Sequence, residues 1–156
     1  MKHLISLLIA ALCTLTAAAQ QEQDFAARYM QLYAEGTSLT CSTVSPAMMQ
    51  RLMNLPTVQD DSEMKALIKE IKTLRIVQHE NRDEADELLQ KALTLAADNP
   101  RRYQLTQEQD NRWIFSRKRG KVTLEIVLIT KMKQHFYLVN VTGNMTERFT
   151  QHLLRR

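Results

Sequence analysis

Four strand-like segments follow one another at the C-terminal end of the chain, at 102–108, 112–118, 121–131 and 135–141. The residues between them are few and turn-forming: Gln109-Asp110-Asn111, Arg119-Gly120 and Lys133-Gln134. Connections this short join antiparallel neighbours and leave no room for a crossover. This stretch is therefore read as a β-meander, with helices packed against it. In the third strand Val122, Leu124, Ile126 and Leu128 share one face. Val127 and Ile129 make part of the other face apolar as well, which predicts a central, two-sided strand.

The region before the meander reads mostly as helix. Over 23–34, Phe25, Tyr29, Leu32 and Tyr33 fall on one side, and Gly36 supplies a left-handed stop. Residues 38–44 alternate as a strand, and Ser45 caps a short helix with Pro46 at its first position. A loop over 56–61 precedes a helix in which Met64, Leu67, Ile68 and Ile71 recur at helical spacing. A short strand at 74–79 leads to Asn81 and Glu84, spaced as a capping pair. The helix after them presents Ala85, Leu88, Leu89, Ala92, Leu93 and Ala96 to a core, and Asn99-Pro100 ends it. The order predicts an α+β domain: an antiparallel sheet with helices on one face, and strand 74–79 added to the meander. Whether strand 38–44 joins that sheet is left open by its pattern.

The first nineteen residues are expected to lie outside the fold. An uncharged apolar run over 4–15 follows Lys2 and His3 and leads to Ala17, Ala18 and Ala19. This is the pattern of a cleaved export signal, with Gln20 as the first mature residue. Twelve or so residues are too short to span a bilayer core of about 30 Å. The expected organisation is a signal peptide at 1–19 and one domain at 20–156, with no transmembrane helix after cleavage. Cys13 introduces a lipid anchor as a second reading of the leader. Cys41 is then the one thiol of the mature chain and cannot close an internal disulfide. It reads as a small core side chain.

Charge is the most informative functional feature. Residues 60–100 carry six bases against ten acids, whereas residues 101–156 carry twelve bases against four acids, a net of +8. Arg117, Lys118, Arg119 and Lys121 cluster about the turn at Gly120, and Arg101 and Arg102 begin the meander. These six form the candidate binding site for an anionic partner: an acidic protein face, a glycan, or a lipid surface. Exposed charge at a sheet edge also serves simply to prevent aggregation. Trp113, Phe115 and Tyr103 would suit stacked bases, but an export signal argues against nucleic acid.

Other motifs point to no cofactor or metal. Asp83, Glu84, Asp86 and Glu87 lack the alternation and central glycine of a calcium loop. They favour a first helical turn by charge alone. His79, His135 and His152 lie on separate elements at no metal-binding spacing. The methionines fall mainly on core faces. Gly-x-Ser-x-Gly, His-Glu-x-x-His and phosphate-cradling glycine loops do not occur.

Four stretches, in order, resemble an exported bacterial family, the domain of unknown function 4252. They are Phe25-Ala-Ala-Arg-Tyr29, Ser42-Thr-Val-Ser-Pro-Ala-Met48, Ile68-Lys-Glu-Ile-Lys-Thr-Leu-Arg-Ile-Val77 and Leu138-Val-Asn-Val-Thr-Gly-Asn144. The resemblance implies an exported protein of Gram-negative bacteria, often lipid-anchored, in the periplasm or at the outer membrane. It assigns no reaction, ligand or residue role. The leading expectation is a non-enzymatic envelope protein that binds or senses a protein or an anionic surface. One alternative is a small enzyme with a dispersed site, which a pocket holding Glu125 or another acid beside a histidine would favour. Another is a carrier holding an apolar ligand between sheet and helices.

Overall fold

The computed structural model of the chain describes residues 22–154. The expected leader, 1–19, lies outside the described residues. The chain is α+β. Helix α1 (Phe25–Tyr33) precedes strand β1 (Thr40–Val44), and helices α2 (Pro46–Met53), α3 (Pro56–Gln59) and α4 (Ser62–Glu70) lead into β2 (Ile71–Gln78). A single 3₁₀ turn opens α5 (Ala85–Ala97). The meander follows as β3 (Gln104–Gln109), β4 (Arg112–Arg119), β5 (Val122–Met132) and β6 (His135–Met145), and α6 (Glu147–Leu154) closes the fold.

The six strands form one sheet in the order β1-β2-β6-β5-β4-β3, and every pairing is antiparallel. Strand β1 joins at the edge against β2, which settles the pairing its pattern left open. Three two-residue turns connect the meander. Asp110-Asn111 and Lys133-Gln134 both take positive φ at each position, the twist a tight hairpin requires, and Gly120 leads the third at φ +59°.

Strands β5 and β6 are the central pair, and β5 is apolar on both faces as its sequence indicates. On one face Val127, Ile129 and Leu138 pack under Phe25 and Tyr29 of α1 and Leu88 of α5. The Tyr29 hydroxyl donates to the Leu88 carbonyl at 2.8 Å, so the two helices are tied by a buried polar contact as well. On the other face Ile114, Ile126 and Val141 meet Leu67 of α4 and Phe149 of α6. Helices thus cover the expected face, and a second, smaller pair covers the opposite one.

Several boundaries differ from the sequence reading. Within α1, Leu32 is half exposed and Ala26 takes the buried place. In α5 it is Leu95 rather than Leu93 that is buried. Pro56–Gln59, expected as loop, closes one turn of helix. The last strand, read over 135–141, continues through Gly143 to Met145. A Cβ at Gly143 would stand 2.0 Å from the backbone carbonyl oxygen of Glu70, where α4 turns into β2. The absence of a side chain is what lets that junction lie against β6. Gly143→Ala is expected to destabilise the protein by about 1–3 kcal/mol, the usual cost of overpacking against groups that cannot retreat. Chemical denaturation of the two proteins measures it.

Candidate functional site

The sheet face that receives α1 changes character towards one end. An apolar row made by Val77, Leu138, Ile129 and Trp113 gives way to a mixed row of Arg75, Asn140, Val127 and Phe115, and then to a polar row of Thr73, Thr142, Glu125 and Arg117. Alternation puts all three rows on the same face. The strand registers shift here too. Arg117 lies opposite Glu125 while Lys118 lies opposite Thr123, which makes Leu124 an extra residue. Lys72 is extra in the pairing of β2 with β6, between Ile71 and Thr73. A third shift falls between Thr123 and Glu125 of β5 in its pairing with β6. Bulges of this kind bend the strand and re-aim its side chains.

Helix α1 begins on the mixed and polar rows. A helix leaves its first N–H groups without partners inside the helix. Here three different side chains supply them. Phe25 N donates to Glu125 Oε1 at 2.6 Å, Ala26 N to Asn140 Oδ1 at 2.9 Å, and Ala27 N to Asp24 Oδ1 at 2.8 Å. Only Asp24, the N-cap, is a local partner.

Glu125 is fully buried, and its two oxygens are well supplied. Besides Phe25 N, they accept from Asn140 Nδ2 at 3.0 Å, Arg117 Nε at 3.0 Å and the Tyr103 hydroxyl at 3.3 Å. Arg117 Nη1 reaches Glu22 at 3.0 Å, and Arg102 Nη1 meets the other oxygen of Glu22 at 2.7 Å. Arg102 Nε donates to the Tyr103 hydroxyl at 3.0 Å. Asp24 completes the set by pairing with Arg75 Nε at 2.8 Å. Charges therefore alternate through the cluster. Burial, followed by the neighbouring Glu125 charge, pushes the Tyr103 phenol up to about 12. Burial raises Tyr29 as well.

This geometry makes Glu125 a long-range helix cap. Four donors occupy its oxygens, and no histidine is among them. The acid–histidine pair that would favour the enzymatic alternative is not made at this residue. Two histidines do meet, towards the opposite end of β6. The rings of His79 and His135 lie 5.8 Å apart, and His79 Nδ1 accepts from Phe136 N at 3.0 Å. Among the described residues, no three His, Cys, Asp or Glu side chains gather as a metal-binding group.

Along the polar row lies an open groove of about 900 Å³. Its floor includes Thr73, Thr142 and Gly143. The start of α1, with Glu22, Asp24 and Ala27, forms one wall together with Arg117 and Arg119. Lys69, Glu70 and Lys72, at the junction of α4 with β2, form another. The lining is mixed in polarity, which does not suit an apolar cargo.

The six basic residues singled out from sequence divide into two groups. Arg117 and Arg102 are mostly buried and share Glu22. Lys118, Arg119, Lys121 and Arg101 are exposed. Sequence reasoning missed Glu22, Asp24, Arg75 and Asn140 in the cluster, and Lys69 and Lys72 in the groove. One signal was available: Glu125 is a lone acid inside the most apolar strand of the chain.

Replacing Glu125 by Ala leaves Arg117 without its buried partner and Phe25 N without an acceptor. A loss of about 3–5 kcal/mol is expected, as for breaking a buried ion pair from one side, and urea denaturation reads it. The raised phenols set an alkaline limit. The unfolded chain releases its tyrosine protons near pH 10, before the folded chain does, so the folded state binds more protons above that pH. Stability is expected to hold below about pH 10 and to fall as pH rises through about 12. Tyr103→Phe should flatten part of that fall in a denaturation series across this window.

No curated protein and no solved structure matches the chain. The model of the family described as Domain of unknown function (DUF4252) matches residues 33–149. That span contains three of the four motif stretches quoted above, while Phe25 to Tyr29, the part of α1 that docks on Glu125, precedes it. By this match over most of its length, the chain belongs to the DUF4252 family.

Proposed function

We propose that this is an exported cell-envelope protein that binds an anionic partner without carrying out chemistry on it. The partner is an acidic protein face or an anionic glycan or lipid surface, met in the periplasm or at the outer membrane. The export part of this reading is supported by the sequence of residues 1–19. The binding part is carried by one observation: Lys118, Arg119 and Lys121 stand exposed about a two-residue turn, at the end of the sheet where the groove opens. The nearby acids Glu22 and Asp24 are already engaged by Arg102, Arg117 and Arg75. Positive charge at this end is therefore left facing solvent.

The test reverses the exposed hairpin charges, Lys118→Glu, Arg119→Glu and Lys121→Glu together. Arg117 is kept, because its loss would disturb the buried Glu125. At about 1 kcal/mol per basic residue near an anionic surface, retention on isolated envelopes at low salt should weaken by roughly a hundredfold. High salt should release the unaltered protein. Retention that ignores both the reversal and salt would overturn the reading.

A further inference from the structure

The groove contains an imbalance that the hairpin alone does not explain. Five of its lining residues are cationic (Lys69, Lys72, Arg75, Arg117 and Arg119) and three are acidic (Glu22, Asp24 and Glu70). Two of the acids are ion-paired, and the third is held by hydrogen bonds alone. Glu22 bridges Arg102 and Arg117, Asp24 holds Arg75 and caps α1, and Glu70 accepts from Thr146 N at 2.6 Å. Among the described residues, no ion pair engages Lys69, Lys72 or Arg119.

The backbone places these three around one space. Lys72 is the extra residue of the β2 bulge, and Arg119 stands at the end of β4 beyond the β4–β5 bulge. Strands β6 and β5 run between β2 and β4. The two sides are thus separated by three strand spacings, roughly 14 Å. On the floor, the hydroxyls of Thr73 and Thr142 are 2.5 Å apart. One donates to the other, which leaves one hydroxyl proton with no acceptor among the described residues.

We infer that the groove binds a phosphate group carried on a sugar-sized body, held from one side by Lys69 and Lys72 and from the other by Arg119. This rests on the anionic-partner reading and deepens it by naming the ligand chemistry and adding two residues outside the hairpin. A phosphate offers several oxygens to donors arriving from different directions, as these cations and the threonine hydroxyl do. A volume of about 900 Å³ is enough for the sugar as well. The same group occurs on a soluble sugar phosphate and on a phosphorylated lipid headgroup, so the test uses both.

Calorimetry on the purified full chain would use glucose 6-phosphate, with glucose as the neutral control. Co-sedimentation would use phosphatidylcholine vesicles with and without phosphatidylinositol 4-phosphate. The phosphate-bearing probe is expected to bind and its neutral counterpart not to. Lys69→Gln with Lys72→Gln should weaken binding about tenfold or more, the loss of two charge-assisted contacts. Both lysines are exposed, so the variant should keep the unaltered protein's denaturation midpoint. Arg119→Gln provides a second, independent variant. Binding to vesicles alone identifies the headgroup as the source, and binding to the sugar phosphate identifies a soluble ligand; either supports the inference. It is overturned if neither phosphate probe binds, or if binding is indifferent to both variants. Phosphate binding lost in the lysine variant while hairpin reversal leaves envelope retention intact would defeat the envelope reading alone. The converse pattern would defeat the groove alone.

Discussion

A buried carboxylate at the start of a helix is the contact on which this fold is organised. Glu125 projects from the middle of the sheet into the space where α1 begins, and it meets a backbone N–H, a guanidinium, an amide and a phenol there. Taking a carboxylate out of water costs several kcal/mol, and this cost is offset only when the remaining lone pairs are well used. The four donors achieve that. The positive end of the α1 dipole adds to it. What the arrangement specifies is placement: α1 cannot slide or rotate on the sheet without stripping partners from Glu125 and Asn140 together. The apolar packing of Phe25 and Tyr29 behind it would tolerate a looser fit.

That clamp also divides the basic residues by role. Arg75, Arg102 and Arg117 have planar forks that hold carboxylates at the edge of the core, a task suited to arginine. Lys69, Lys72, Lys118 and Lys121 carry flexible, well-hydrated ammonium groups, and they stand outside it. The high positive charge of the C-terminal part is therefore not one patch with one purpose. Part of it holds the helix in place, and part of it faces outward around the groove.

The meander was legible because two-residue turns and strict alternation leave few alternatives. The two-sided character of β5 was legible for the same reason: Ile126 and Leu128 alternate with Val127 and Ile129, and a strand apolar on both faces belongs inside a sheet. The place of β1 was not legible, since alternation marks a strand but does not name the neighbour it pairs with. Nor was the role of Arg117. A regular hairpin about Gly120 and Lys121 would put Leu124 across from it, and only the bulge brings Glu125 there. Lys72 was hidden similarly, being aimed by an extra residue in β2. Register shifts displace side chains without leaving a mark on hydropathy, so the site was obscured where the fold departs from regularity.

The partners of α1 are far away along the chain: Phe25 and Glu125 are 100 residues apart, and Ala26 and Asn140 are 114. Closing loops of that length is slow relative to forming local hairpins. The first helix of the described residues is thus the one whose partners are made last. Until β5 and β6 have been made and paired, Phe25 and Tyr29 have no surface to settle on. Among the described residues, the seat of the leading helix is completed by segments that lie near the other end of the chain.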